Sequence, residues 1–140
     1  MIDAKTYLKQ VKLIDVHIDS KLEELDRLKL LTTKITTTLK DDVVSGTHSQ
    51  DKLGDAVSKI VDLEREINEA VDDYIDKKKA ISAIIDQVKD PDQAAVLYKR
   101  YFKYEHWEQI ACDMGYTFRN VCYIHGRALQ AVTELLKGCE

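Results

Sequence analysis

The chain has 140 residues, 33% of them charged, with only five Gly and one Pro. So few turn formers exclude an all-β fold and favour solvated helices, so the expected class is all-α. The net charge is −4, with 15 Lys and Arg against 19 Asp and Glu up to residue 90 and six against six after it, so the chain lacks the overall basic excess that usually gives nucleic-acid binders their sequence-independent affinity.

The opening "MIDAKTYLKQ" is polar and mixed in charge, and no apolar run of membrane-spanning length follows. The expectation is a soluble protein of the cytoplasm with no membrane partner. In the first forty residues Val11, Ile14, Ile18, Leu22, Leu25, Leu28, Thr32, Ile35 and Leu39 form one helical stripe, slipped by one residue before Leu22. Five Thr between 32 and 38 lower helix propensity there and predict fraying or an early stop. "DDVVSGTHSQD" then breaks the period, so the chain should reverse over residues 41–52 and lay two long helices antiparallel.

From Leu53 the row Leu53, Ala56, Ile60, Leu63, Ile67, Ala70, Tyr74, Lys77, Ile81, Ile84 and Val88 steps by three and four without a slip. Such a sustained heptad is the pattern of a coiled coil, and Val57, Val71 and Ile85 add a flanking row that asks for a second neighbour. Residues 1–90 therefore read as a long helical hairpin for oligomerisation, with a homodimer expected, or for partner binding. In "KDPDQ", Asp90 is suited to cap a helix and Pro91 to begin it, so a second domain is expected over residues 91–140.

That part divides into three helices. "DQAAVLYKRYF" offers Val96, Leu97, Tyr101 and Phe102 as core, and "EHWEQIACDM" turns Trp107, Ile110, Ala111 and Met114 inward. Gly115 suits a left-handed helix end and Thr117 a cap for the next helix. Small Ala111 at a helix contact, Gly115 at the turn and Val121 returning to the core meet the spacing of a helix-turn-helix, joined by apolar Tyr116 and Ile124. Winding the last helix puts Val121, Ile124, Ala128, Val132 and Leu135 on one side and Arg119, Tyr123, Gly126 and Gln130 on the other. In a DNA major groove, Arg119 would give two hydrogen bonds to a guanine edge and Tyr123 would meet a thymine methyl or a phosphate. Gly126 would remove bulk where the backbone nears DNA, while Phe118 would pack on the turn or read a base methyl.

The segments "LYKRY" and "WEQIACDMGYTFRNVCYIHGRAL" resemble region 4 of bacterial sigma factors. With the long helices before them, the chain is similar to small sigma-like proteins of Gram-positive phages and prophages, including late transcription regulators of the ArpU and RinA type and a related family of unknown function. The resemblance implies a DNA-facing set of Thr117, Phe118, Arg119, Asn120, Cys122, Tyr123 and Arg127. It implies double-stranded DNA as partner and RNA polymerase as a further one.

Other chemistries find little support. Cys112, Cys122 and Cys139 form no C-x-x-C pair, so neither a disulfide framework nor a zinc site is expected. Cys122 and His125 lie three apart, but His125 falls only ~40° from Val121 around the helix and reads as a partly buried packing residue. No phosphate loop, activated nucleophile or paired catalytic carboxylates appear, so neither an enzyme nor a cofactor is expected. The expected function is a phage or prophage transcription regulator. A small terminase-like packaging protein and a helical interaction module without DNA binding are the alternatives.

Overall fold

The computed structural model describes the backbone of residues 2–41 and 46–139, and the side chains of 2–37 and 51–139. Among the described residues there are five helices and no strand: α1 (Ala4–Asp41), α2 (Gly46–Asp86), α3 (Pro91–Tyr101), α4 (Trp107–Met114) and α5 (Phe118–Gly138). The protein is all-α.

The expected break over residues 41–52 is shorter than its composition suggests, because α2 is already helical from Gly46; residues 42–45 and the side chain of Leu39 lie outside the described residues. The Thr-rich stretch does not stop α1 early, since the helix runs through it to Asp41. There Thr32, Thr33, Thr36 and Thr37 each donate a hydroxyl hydrogen bond to the carbonyl four residues back, at 2.9–3.0 Å. The groups that would compete with the helix are thus occupied along its own surface.

The described chain divides into two compact units, Met1–Ile14 with Tyr74–Glu140, and Asp15–Asp73. In the first, Ala4, Leu8 and Val11 of α1 share one core with Ile81, Ile84 and Ile85 of α2, with Val88 of the connection that follows, with Leu97 and Tyr101 of α3, and with Ala128 and Val132 of α5. The turn at Asp90 therefore lies inside this unit. Asp90 accepts hydrogen bonds from the backbone N–H groups of Asp92 and Gln93, and Pro91 opens α3, as the capping pattern predicts. The Tyr98 hydroxyl donates to Asp86 at 2.7 Å and so ties α3 to the end of α2.

In the second unit Leu25, Ala56 and Ile67 are buried, while Leu28, Leu53, Ile60 and Leu63 are half-buried. The slip in the α1 stripe has a structural answer: Leu22 is exposed and Lys21 takes its place. Its ammonium meets Glu66 of α2 at 2.7 Å. Along the α2 row, Lys77 and the flanking Val57 are exposed, and Ile85 is fully buried.

Candidate functional site

The site is built on α3, α4 and α5, all in the first unit. Helix α4 ends at Gly115, which adopts φ 70° and ψ 28°. The Gly115 N–H donates to the Cys112 carbonyl at 3.3 Å and the Tyr116 N–H to the Ala111 carbonyl at 3.0 Å, which closes the last turn in a Schellman arrangement. A side chain at position 115 would be strained by that left-handed conformation even though the space around it is open. Two residues later the Thr117 hydroxyl oxygen accepts from the Asn120 N–H at 3.1 Å and opens α5.

This short connection brings Ile110 and Ala111 of α4 against Val121 of α5 and Val96 of α3. All four are buried, with Trp107, Met114 and Ile124 packed around them. Each residue expected to form the inner contact is therefore in or beside this cluster, except Tyr116. Tyr116 is partly exposed because its hydroxyl donates to the Asp92 carboxylate at 2.6 Å, a polar link to the start of α3 that draws the ring away from the apolar contact. On α5, Val121, Ala128 and Val132 are buried and Ile124 and Leu135 half-buried, while Arg119, Tyr123, Gly126 and Gln130 are exposed, as the winding predicts.

The residues of the expected DNA-facing set, Thr117, Phe118, Arg119, Asn120, Cys122, Tyr123 and Arg127, are all exposed. Phe118 is 50% and Tyr123 62% accessible, large values for aromatic side chains. Arg127 Nη1 donates to the Tyr123 hydroxyl at 3.2 Å, and its guanidinium lies 5.7 Å from that ring's centre. The two side chains form one amphipathic pair on the outer face. From Phe118 to Thr133 the sequence holds no acidic residue. This stretch of α5 is therefore basic in a chain that is acidic overall.

Behind this face lies a cluster that only the fold assembles. His125 Nε2 and the Tyr101 hydroxyl are 2.8 Å apart, the His125 ring meets the Trp107 ring edge-on with centres 4.6 Å apart, and the Arg100 guanidinium lies 4.5 Å from the Trp107 ring centre. Burial, and then the positive charges of Lys5 and Arg100, push the His125 pKa down to about 4. His125 is thus a neutral packing group near pH 7. Its signal in the sequence was its angular position beside Val121; Tyr101 and Trp107 were legible as inward residues, but nothing marked them as its partners. Lys99 of α3 lies 3.7 Å from Asp113 of α4 and 4.0 Å from Glu105, a further tie across the helices.

Among the described residues no group of three or more His, Cys, Asp or Glu is arranged to hold a metal ion, and no helix is long and apolar enough to cross a membrane. Residues 31–135 match the profile of a family described as protein of unknown function, DUF1492. The chain belongs to this family. The family's matched stretch runs from within α1 to near the end of α5, so it takes in the long helices as well as the short ones. No curated protein and no solved structure matches the chain.

Proposed function

We propose that the protein is a DNA-binding transcription regulator of a phage or prophage, acting in the host cytoplasm, with α4 and α5 as a sigma region 4-like helix-turn-helix. The observation that carries this reading is the join between them. A left-handed Gly115 and a Thr117 cap hold two helices over the buried Ile110, Ala111 and Val121, and the opposite side of α5 offers Arg119, Tyr123 and Arg127 within a stretch of α5 that has no acidic residue. A recognition helix needs such a row, with its N-terminal residues at base edges and an Arg for guanine. Arg119 is the base-reading residue in this scheme, and Arg127, braced on Tyr123, contacts phosphate.

The long helices form an antiparallel hairpin that pairs with a second copy or meets RNA polymerase. Antiparallel order is supported by Lys21–Glu66 and Lys29–Glu64, since numbering rises along α1 as it falls along α2. Pairing is supported by Leu30, Leu31, Val57 and Val61, which this thin unit leaves exposed. A second copy would also supply the affinity that two exposed arginines cannot.

Selection of bound sequences from a random duplex library tests the reading. An enriched site is expected, with Arg119→Ala weakening it by about 1–3 kcal/mol and relaxing preference at one base pair. Arg127→Ala should weaken all sequences alike and reduce the salt slope by roughly one. No enrichment at low salt, or an enriched site indifferent to Arg119, would retire the reading face.

A further inference from the structure

We propose that the first unit contains a binding site for a small phosphate-bearing ligand with a planar ring, of the nucleotide class, in a cavity between the start of α1 and the connection from α3 to α4. The cavity has a volume of ≈ 330 Å³ and is lined by Lys9, Lys12, Leu13, Arg100, Tyr101 and Tyr104. That volume stands at the lower end of the range for small-molecule sites and suits a ligand about the size of a mononucleotide.

The lining chemistry selects the ligand. Lys9 and Lys12 are one turn apart on α1, so both ammonium groups reach the same side of the helix, and Arg100 approaches from α3. Among the described lining residues none is acidic. Three cations around one cavity repel one another, and an anion of more than one charge relieves that repulsion. Arg100 is already oriented: Nη1 donates to the Glu105 carbonyl at 2.9 Å and the guanidinium stacks on Trp107. A guanidinium fixed at one edge still has N–H donors for a phosphate and loses little freedom on binding.

The apolar part of the wall argues for a ring as well as a phosphate. Leu13 is 68% exposed, and Tyr104 adopts φ 58°, a left-handed conformation unusual for a bulky residue. Lys12 Nζ lies 5.8 Å from the centre of the Tyr104 ring. An aromatic ring and an exposed Leu beside cations offer a planar group a surface to cover, which bare phosphate would leave wet. This assignment uses no residue of the proposed DNA-reading row, so the two readings stand or fall separately.

Titration of the full chain with ATP, adenosine and inorganic phosphate tests the site, read by calorimetry and by the fluorescence of Trp107, the single Trp, on which Arg100 is stacked. A saturable change with ATP is expected, with adenosine and phosphate each at least tenfold weaker. The Lys9→Ala/Lys12→Ala variant should bind ATP at least tenfold more weakly with an unchanged circular dichroism spectrum, since both side chains are exposed; if that variant loses helicity, Lys12→Gln alone carries the comparison. No saturable change at millimolar ATP would overturn the site, as would equal binding by the variants. Phosphate binding as tightly as ATP would overturn the ring. Displacement of bound ATP by duplex DNA would overturn the small ligand in favour of a DNA backbone phosphate.

Discussion

The two compact units solve the same problem, how to bury an apolar helical stripe, with different means. In Asp15–Asp73 two long helices supply the buried Leu25, Ala56 and Ile67, and Val16, Leu30, Leu31, Val57 and Val61 remain exposed. In the other unit, pieces of five helices enclose Leu8, Val11, Ile85, Leu97, Ile110, Val121 and Val132 on every side, each with no accessible surface. A helix has neighbours on one side in a pair and on several sides in a cluster, so long heptads alone do not make a core. Stability is expected to reside in the second arrangement, and the thin pair to open first.

The sharpest way to break this contrast is to truncate matched positions. Ile110→Ala should cost about 2–5 kcal/mol and Val121→Ala somewhat less, because each leaves a cavity in a closed cluster. Leu30→Ala, on the exposed side of the pair, should stay within about 0.5 kcal/mol in the monomer. Urea unfolding of the three variants checks the ranking, and near-equal losses would erase the distinction.

A pH titration sharpens it further, because the His125 cluster belongs only to the closed unit. The folded pKa of about 4 lies below the ordinary 6.5, so the unfolded chain binds the extra proton first as pH falls. The stabilisation is complete above pH 6.5 and is lost as pH drops toward 4. The loss should be on the order of 1–2 kcal/mol once solvent screening of a partly exposed ring is allowed for. His125→Phe should flatten the slope of unfolding free energy across that window, and an unchanged slope would mean that the ring is solvated.

Smaller effects follow at the surface of each unit. Thr117→Ala should cost about 1 kcal/mol through the lost cap, measurable as a lower urea midpoint, with the fold retained. Lys21→Ala should change the midpoint least of all, since the Glu66 carboxylate facing it is more than half exposed and its attraction to Lys21 is screened. A large shift from Lys21→Ala would show that the pair of long helices depends on that ion pair for its register.

Local signals in the chain were legible wherever one residue type meets one backbone need. Asp90 with Pro91, Gly115 and Thr117 each stand where a helix must start or stop, and the inner row Val121, Ala128 and Val132 is set by helical winding. The Thr-rich stretch misled because propensity measures a free helix, whereas here four hydroxyls bond back along α1. The Lys21 slip was visible as an irregularity, but not its cause, which is a carboxylate far away in sequence.

By itself, then, the amino-acid order determined the all-helical class, the start of α3, the end of α4, the start of α5, and which side of α5 turns inward, because capping, turn conformation and helical periodicity act over a few residues. Only the tertiary structure decided that Ala4, Leu8 and Val11 belong to the core of the C-terminal helices, that Tyr101, Trp107 and His125 meet, and that Lys9 and Lys12 face Arg100 across a cavity. Those pairings join residues distant in the chain. Any apolar stripe of the right period satisfies many partners equally well until shape and volume select one.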